Sequence, residues 1–474
     1  MMYRRRRSPA LLLLGALLLA APLAACGSRL SRSEIQRAQG TTVAPAPVST
    51  SPPPTASGGG FVAPGEHTSA GNTASDTGVT PSQITVGVLV SKSSPLGPDT
   101  FSGSYYGATA YFDALNRVGG VHDRRVKVAF CDDGGSGSGN VACVHKLIDS
   151  QHVFALAGTT VFSYDGAPYV NKKGVDDIAG QPVGNDYNTY YHLWSLYGSD
   201  EPREGTVGWD GKLYTGTEVY RWFKVRRGAK RAAVVYYNVA PSQRFALSIE
   251  AGLRKEGYNV RMEQVDLGLA NFDSVAVDMA GAHVDVVFDA LDSAGNVRLC
   301  KAMDAHHVNV TAKVTTTQGW VQTIDQDYKQ APNCRNQLYA TGNSLNYEDT
   351  QYPSVAQFRA AVKSLYPERQ NLLSEWELEG WASAQWFTDA AASCGANLTR
   401  ACVEKYMTRS TPYDGHGLLI PRDFVVQRPQ PAIRNCLNVA RWQDSANGGH
   451  GGWVTQVKDM NTECFVVPNI PYSP

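Results

Sequence analysis

From Ile84 to Thr160 the chain alternates short β-branched apolar runs with longer amphipathic stretches, and few architectures accept that order. Ile84-Thr85-Val86-Gly87-Val88-Leu89-Val90 is short and rich in residues stiff at χ1, which predicts a strand covered on both faces. Residues 101–117 then place Tyr105, Ala108, Phe112 and Leu115 at helical spacing, with Gly119-Gly120 as the stop. A strand is expected over 125–131, a helix over 141–150 and a third strand over 153–157, ending at Gly158-Thr159-Thr160. Strand, helix, strand, helix, strand means parallel pairing, because each helix carries the chain back to where the next strand must start.

The pattern begins again after Val207. Helices are expected over 217–224, 242–257, 272–282 and 297–306, and strands over 231–237, 259–265, 284–288 and 313–316. About 390 residues follow residue 82, more than one hydrophobic core usually organises. The reading is therefore an α/β protein with two doubly wound parallel-sheet lobes. Residues 375–392 read as an amphipathic helix, and from Leu418 the chain is strand-like, broken by Pro421, Pro429, Pro431 and a glycine-rich run.

Ahead of this region lie a basic cluster, Arg4 to Arg7, an apolar run from Leu11 to Ala21, and Leu23-Ala24-Ala25-Cys26-Gly27. The run is shorter than the roughly 20 apolar residues that cross a bilayer and reads as an export signal over 1–25. Leu-Ala-Ala-Cys-Gly resembles the bacterial lipobox, which implies lipidation of Cys26 and attachment to the outer face of the cytoplasmic membrane; two acyl chains hold a lasting tether. Residues 26–81 are dominated by Ser, Thr, Pro, Gly and Ala and are expected to form a disordered stalk.

Of nine cysteines, eight remain beside Cys26, in four sequence-adjacent pairs: Cys131 with Cys143, Cys300 with Cys334, Cys394 with Cys402, and Cys436 with Cys464. In an exported chain they read as disulfides, joined in that order by inference only, since eight cysteines allow 105 connectivities. No pair has the close spacing zinc prefers, so no metal is expected. The chain carries 43 basic and 43 acidic residues with no basic stripe, which argues against a nucleic-acid partner. Neither a G-x-S-x-G elbow, an HExxH helix, a P-loop nor a GxGxxG turn is present, so neither an enzyme nor a cofactor is expected.

The opening strand with its Ser-rich loop, residues 84–94, is one of several stretches that together resemble the Leu/Ile/Val-binding branch of the type I periplasmic binding proteins. The others are Tyr106-Gly107-Ala108 through Val121, Cys131-Asp132-Asp133, Gly158-Thr159-Thr160, Asn271-Phe272-Asp273, and Asp285 through Phe288. The resemblance implies two lobes joined by three crossovers, residues 82–207 with 345–422 and 208–344 with 423–468. These would close on a small molecule, an amino acid or a related polar or amide compound, for delivery to an ABC permease. A monomer is expected. A tethered sensor of the same fold, signalling to a membrane partner, is the alternative.

It further implies ligand contacts at the strand ends. Ser91 and Ser94 follow the first strand, and Thr159, Thr160 and Ser163 follow the third, where relatives hold an α-carboxylate on hydroxyls and unpaired N–H groups. Gln181 follows the strand interrupted by Asp176-Asp177. The second lobe offers Asn238, Ser242, Asp289, Asp292 and Gln318. Relatives often carry an acid where Gln318 stands. A neutral amide cannot neutralise a desolvated ammonium, so either Asp289 or Asp292 takes that task or the ligand is not a standard amino acid.

Overall fold

The computed structural model describes residues 61–473 except Pro95, Asp99, Thr100 and Thr316; the export signal, Cys26 and the first part of the stalk lie outside the described residues. Strand β1 (Gln83–Val90) buries Ile84, Val86, Val88, Leu89 and Val90 completely, as its unbroken apolar run requires. Helix α1 (Gly103–Arg117) follows, then β2 (Arg125–Asp132), β3 (Ala155–Ala157), β4 (Asp177–Gly180) and β5 (Leu193–Ser195). These strands form one five-stranded parallel sheet in the order β2-β1-β3-β4-β5. The helix expected over 141–150 begins earlier, at Gly137, and its last turn, Lys146–Ser150, is widened to a π-helix.

After β6 (Leu213–Gly216) the second lobe opens with β7 (Arg231–Tyr237), helix α2 (Ala240–Lys255) and β8 (Asn259–Val265). It continues through β9 (Val286–Ala290), helix α3 (Ser293–Ala305), β10 (Ala312–Thr315) and β11 (Leu338–Gly342). Helix α4 (Glu375–Ser393) returns to the first lobe; β12 (Ala432–Cys436), β13 (Asn438–Gln443), β14 (Gly452–Thr455) and β15 (Cys464–Tyr472) follow. The second sheet runs β8-β7-β9-β10-β11-β13-β14, five parallel strands completed by an antiparallel pair from the tail. A small antiparallel sheet, β12-β15-β6, joins the tail to the start of the second lobe.

Helix α4 differs from its sequence reading. It is buried on nearly every side rather than amphipathic, because α1 covers the face that the pattern would leave to solvent. The two helices approach closely enough to need glycine. A Cβ on Gly107 would lie 1.8 Å from the Glu377 carbonyl oxygen, and one on Gly380 would lie 2.2 Å from that of Ser104. Ser374 and Glu377 form a reciprocal capping box at the start of α4, so its first amides are satisfied despite burial.

The end of the expected stalk is packed. Phe61 meets Tyr111 and Trp381 edge-on at centroid distances of 5.2 and 5.8 Å, and Ala63 and Val79 are buried. The wholly buried Arg124 donates to the carbonyls of Thr73 and Thr80, which fastens this segment to the first lobe. Three scattered apolar residues are too few to stand out in a Ser/Thr/Gly-rich stretch, yet they suffice against an existing core.

All four disulfides join the cysteines in the expected sequential pairs, with Cα separations of 3.9–5.9 Å. Closing loops of these lengths contributes on the order of 2–4 kcal/mol each. Each bridge ties neighbouring elements. Cys131 on β2 is bonded to Cys143 on the helix after it, and Cys300 on α3 to Cys334 in a short helical turn. Cys394, at the end of α4, is bonded to Cys402 on the next helix, and Cys436 on β12 to Cys464 on β15. None spans the two large sheets, so they brace the lobes without locking one to the other.

The chain crosses between the lobes near residues 196, 343 and 420. There Asn343 Nδ2 donates to the Leu196 carbonyl (3.1 Å), and the Ile420 amide donates to the Asn343 carbonyl (2.6 Å). Asn438 adds a bond to the Ser344 carbonyl at 2.8 Å. The three connections therefore run side by side, as a hinge needs.

Candidate functional site

Both large sheets end their parallel strands on one cleft. On the first lobe's side, Ser91 donates to Asp133 (2.6 Å) and accepts the Phe162 amide (2.9 Å), which fixes the loop after β3. That loop sets Phe162 beside Phe101, and Phe101 stacks on Trp376 at 5.5 Å, making a row of three rings. Facing them from the second lobe are Tyr237, Leu291 and the N-terminal end of α2, with its N-cap Val239 and Phe245 in its second turn. The chamber between has a volume of ≈ 420 Å³, the size of a small organic molecule. Phe245 is 46% exposed, a large apolar cost that an occupant would relieve.

Two amides reach this chamber. In β4 a bulge between Ile178 and Gly180 puts Ala179 at φ 59°, and Ser383 bonds the Ala179 carbonyl. Gly180 is obligatory here, since a Cβ would overlap the Tyr187 hydroxyl. The bulge turns the following residue, Gln181, toward the cleft. Gln181 Nε2 donates to the Tyr197 hydroxyl (3.4 Å), which donates to Glu379 Oε1 (2.8 Å); Gln181 Oε1 is buried and has no partner among the described residues. Across the cleft, Gln318 sits on a short 3-10 turn (Thr317–Gly319), and its Nε2 is likewise buried without a partner. Burial pushes the Glu379 carboxyl up to about 8 and the Glu375 carboxyl well above the usual range.

The structure thus places Gln181, Ser242 and Gln318 on the chamber wall. Ser242 accepts the Tyr237 amide (2.8 Å) and donates to the Ala290 carbonyl (2.7 Å), so its hydroxyl holds two strand ends together. Ser163 lines a neighbouring arm of the cleft and donates to Asp165 at 2.6 Å. The remaining candidates do not line the chamber. Ser94 accepts the Leu96 amide, Thr160 shares a 2.6 Å bond with Ser104, and Thr159 is wholly buried beneath the loop. Asn238 bonds Asp266 and the Leu267 amide at the surface.

Neither acid assigned to an ammonium is free. Asp292 caps α3 and accepts the Tyr237 hydroxyl at 2.5 Å. Asp289 is paired with Lys313, whose side chain is wholly buried and also donates to Asn296. Burial drives the Lys313 pKa down while Asp289 opposes the shift. The arm beside Gln181 carries Asp165, Asp186 and Arg244, and burial raises the Asp186 carboxyl to about 6. Among the described residues no group of three His, Cys, Asp or Glu side chains could hold a metal ion.

Sequence reasoning passed over Phe101, Phe162, Tyr197, Phe245 and Trp376. Phe245 lies one turn before Ile249 on the apolar stripe of α2, so periodicity assigns both to the core; only the fold shows that the stripe's first turn meets the cleft. Trp320, two residues after Gln318, is wholly buried against Trp453 and does not reach the chamber. Asp176 and Asp177, the acids at the start of β4, are turned inward: Trp194 and His192 bond the first, and Tyr164 and Tyr187 both bond Oδ2 of the second, whose Oδ1 is buried without a partner among the described residues.

The sequence profile of the family described as periplasmic binding protein matches residues 83–449. No curated protein matches the sequence. Among solved structures, a fatty acid ABC transporter substrate-binding protein from Thermomonospora curvata aligns with a TM-score of 0.61 and 13% identity, over 82% of this chain and 94% of its own. A branched-chain amino acid transporter substrate-binding protein from Streptococcus pneumoniae, in complex with isoleucine, aligns at 0.59 and 14%, over 81% and 99%. A solute-binding protein from R. palustris, in complex with benzoate, aligns at 0.58 and 14%, over 82% and 97%. At these identities the likeness is one of fold. The type I periplasmic-binding-protein architecture, two parallel-sheet lobes joined by three crossovers, is the one the sequence predicts.

Proposed function

The chain belongs to the periplasmic binding protein family, and on that premise we propose that it captures a small organic solute between its lobes and delivers it to an ABC permease. The cleft carries this reading: the carboxyl ends of both parallel sheets converge on one chamber, and side chains from both lobes line it. A hinge of three side-by-side strands of chain lets the lobes close on a solute, which then favours the closed population. Among the described residues no helix is long and apolar enough to cross a membrane. Attachment through a lipid on Cys26 supplies the membrane contact in this reading.

Native mass spectrometry of the purified protein, followed by a thermal-shift panel, tests the function. A bound solute of a few hundred daltons is expected, and supplying it at about 100 times its dissociation constant adds about 2.7 kcal/mol of stability. A protein that carries no solute, and that none of a broad panel of small organic molecules stabilises, contradicts solute capture.

A further inference from the structure

The chamber's wall is apolar apart from a few uncharged groups, and its unpaired hydrogen-bonding atoms have a definite polarity. Rings from Phe101, Phe162 and Trp376 on one side and Phe245 on the other offer dispersion and apolar burial but no counter-charge. A desolvated ammonium or carboxylate placed there would need a partner, and an unpaired buried charge costs far more than an unpaired amide. The acids nearest the second lobe's strand ends are already spent, Asp289 on Lys313 and Asp292 on the α3 cap and Tyr237. Asp165 and Arg244, in the adjoining arm, are exposed and keep their own hydration.

The amides supply the other half. Glu379 Oε1 accepts the Tyr197 hydroxyl's hydrogen bond, so Tyr197 is left to accept from Gln181 Nε2, and Gln181 Oε1, on a side chain that lines the chamber, remains an acceptor without a partner among the described residues. Gln318 presents Nε2 as a donor from the opposite lobe. Each is a buried polar atom that is costly to leave unmet. A ligand group that both donates and accepts can satisfy the two together, bridging the lobes.

Resting on the solute-capture reading above, we propose that the solute is uncharged: an aromatic or branched apolar body seated among the rings, with a neutral head of carboxamide type whose N–H bonds Gln181 and whose carbonyl accepts from Gln318. An α-amino acid is disfavoured by the same geometry, and the amide head ties ligand recognition to closure of the two lobes.

The test is calorimetric titration with matched probes, 3-phenylpropanamide, 3-phenylpropanoate, phenylalanine, leucine and ethylbenzene, on the wild type and on the Gln181→Met and Gln318→Met variants. The amide is expected to bind at least about tenfold more tightly than the carboxylate or either amino acid. Each Met variant is expected to lose roughly tenfold in amide affinity while binding ethylbenzene as before, which also shows that it is folded. Tighter binding of phenylalanine or leucine than of the amide, or amide affinity unchanged in both variants, overturns the proposal. If none of the probes binds but native mass spectrometry shows a retained solute, the ligand class is wrong and solute capture stands. If neither is seen, solute capture itself falls.

Discussion

Replacing Lys313 with Met is expected to cost the protein about 3–5 kcal/mol of stability, the usual penalty for stranding one member of a buried ion pair. Lys313 lies in β10, inside the second sheet, with both its side chain and that of Asp289 wholly buried. Removing the ammonium leaves the Asp289 carboxylate with the Asn296 amide and the Leu291 amide as its remaining donors, too few for a charge in that setting. Asp289→Asn is expected to cost less, because burial already drives the Lys313 pKa down and the amine can shed its proton. A Lys313→Met, Asp289→Leu double variant should recover much of the loss, since an apolar pair of similar volume avoids desolvating either charge. Urea unfolding of the three variants checks this. Equal stability of Lys313→Met and the wild type would mean that the ion pair is absent in solution.

Glu379 gives the second large effect, read as a dependence on pH. Its carboxyl is wholly buried on α4, with Oε1 accepting from Tyr197 and Oε2 without a partner, and burial lifts its pKa to about 8. The unfolded chain has it near 4.3. A folded pKa above the unfolded one means that the folded state holds the extra proton between those values. The contribution is fully present below pH ~4 and is lost as pH rises through about 8, at up to about 1.4 kcal/mol per unit. Glu379→Gln, neutral at every pH, is expected to flatten this slope and to be more stable than the wild type at pH 8. Glu375, one turn earlier and bonded to Ser344, keeps its own raised pKa, so a shallower slope remains in the variant. Urea midpoints at pH 5.5 and 8 decide the matter; a wild type equally stable at both would contradict it.

The lobes were legible because their evidence is local. The run from Ile84 to Val90 can only be buried on both faces, and the helices between such runs leave parallel pairing as the economical topology. Disulfide pairing followed for the same reason, since Cys131 and Cys143, like Cys394 and Cys402, lie on adjacent elements. What resisted reading depends on contacts far apart in sequence. The burial of α4 is decided by α1, about 270 residues away, through the close contacts at Gly107 and Gly380, and the packing of Phe61 by Tyr111 and Trp381. In the site, hydroxyls at strand ends were visible as residue types, but not their partners. Thr160 and Ser91 turn inward to Ser104 and Asp133, whereas the bulge at Ala179 turns Gln181 outward. The aromatic wall comes from four separate segments, none of which carries a motif.

Capture of a solute between the lobes is tested most directly by hydrogen–deuterium exchange with and without the solute that co-purifies or titrates. Binding in the cleft predicts slower exchange at residues 159–165 and 181–185 of the first lobe and at 238–245 and 317–320 of the second, all at the same solute concentration. Protection confined to one lobe, or appearing only on a surface away from these four segments, would contradict capture by closure.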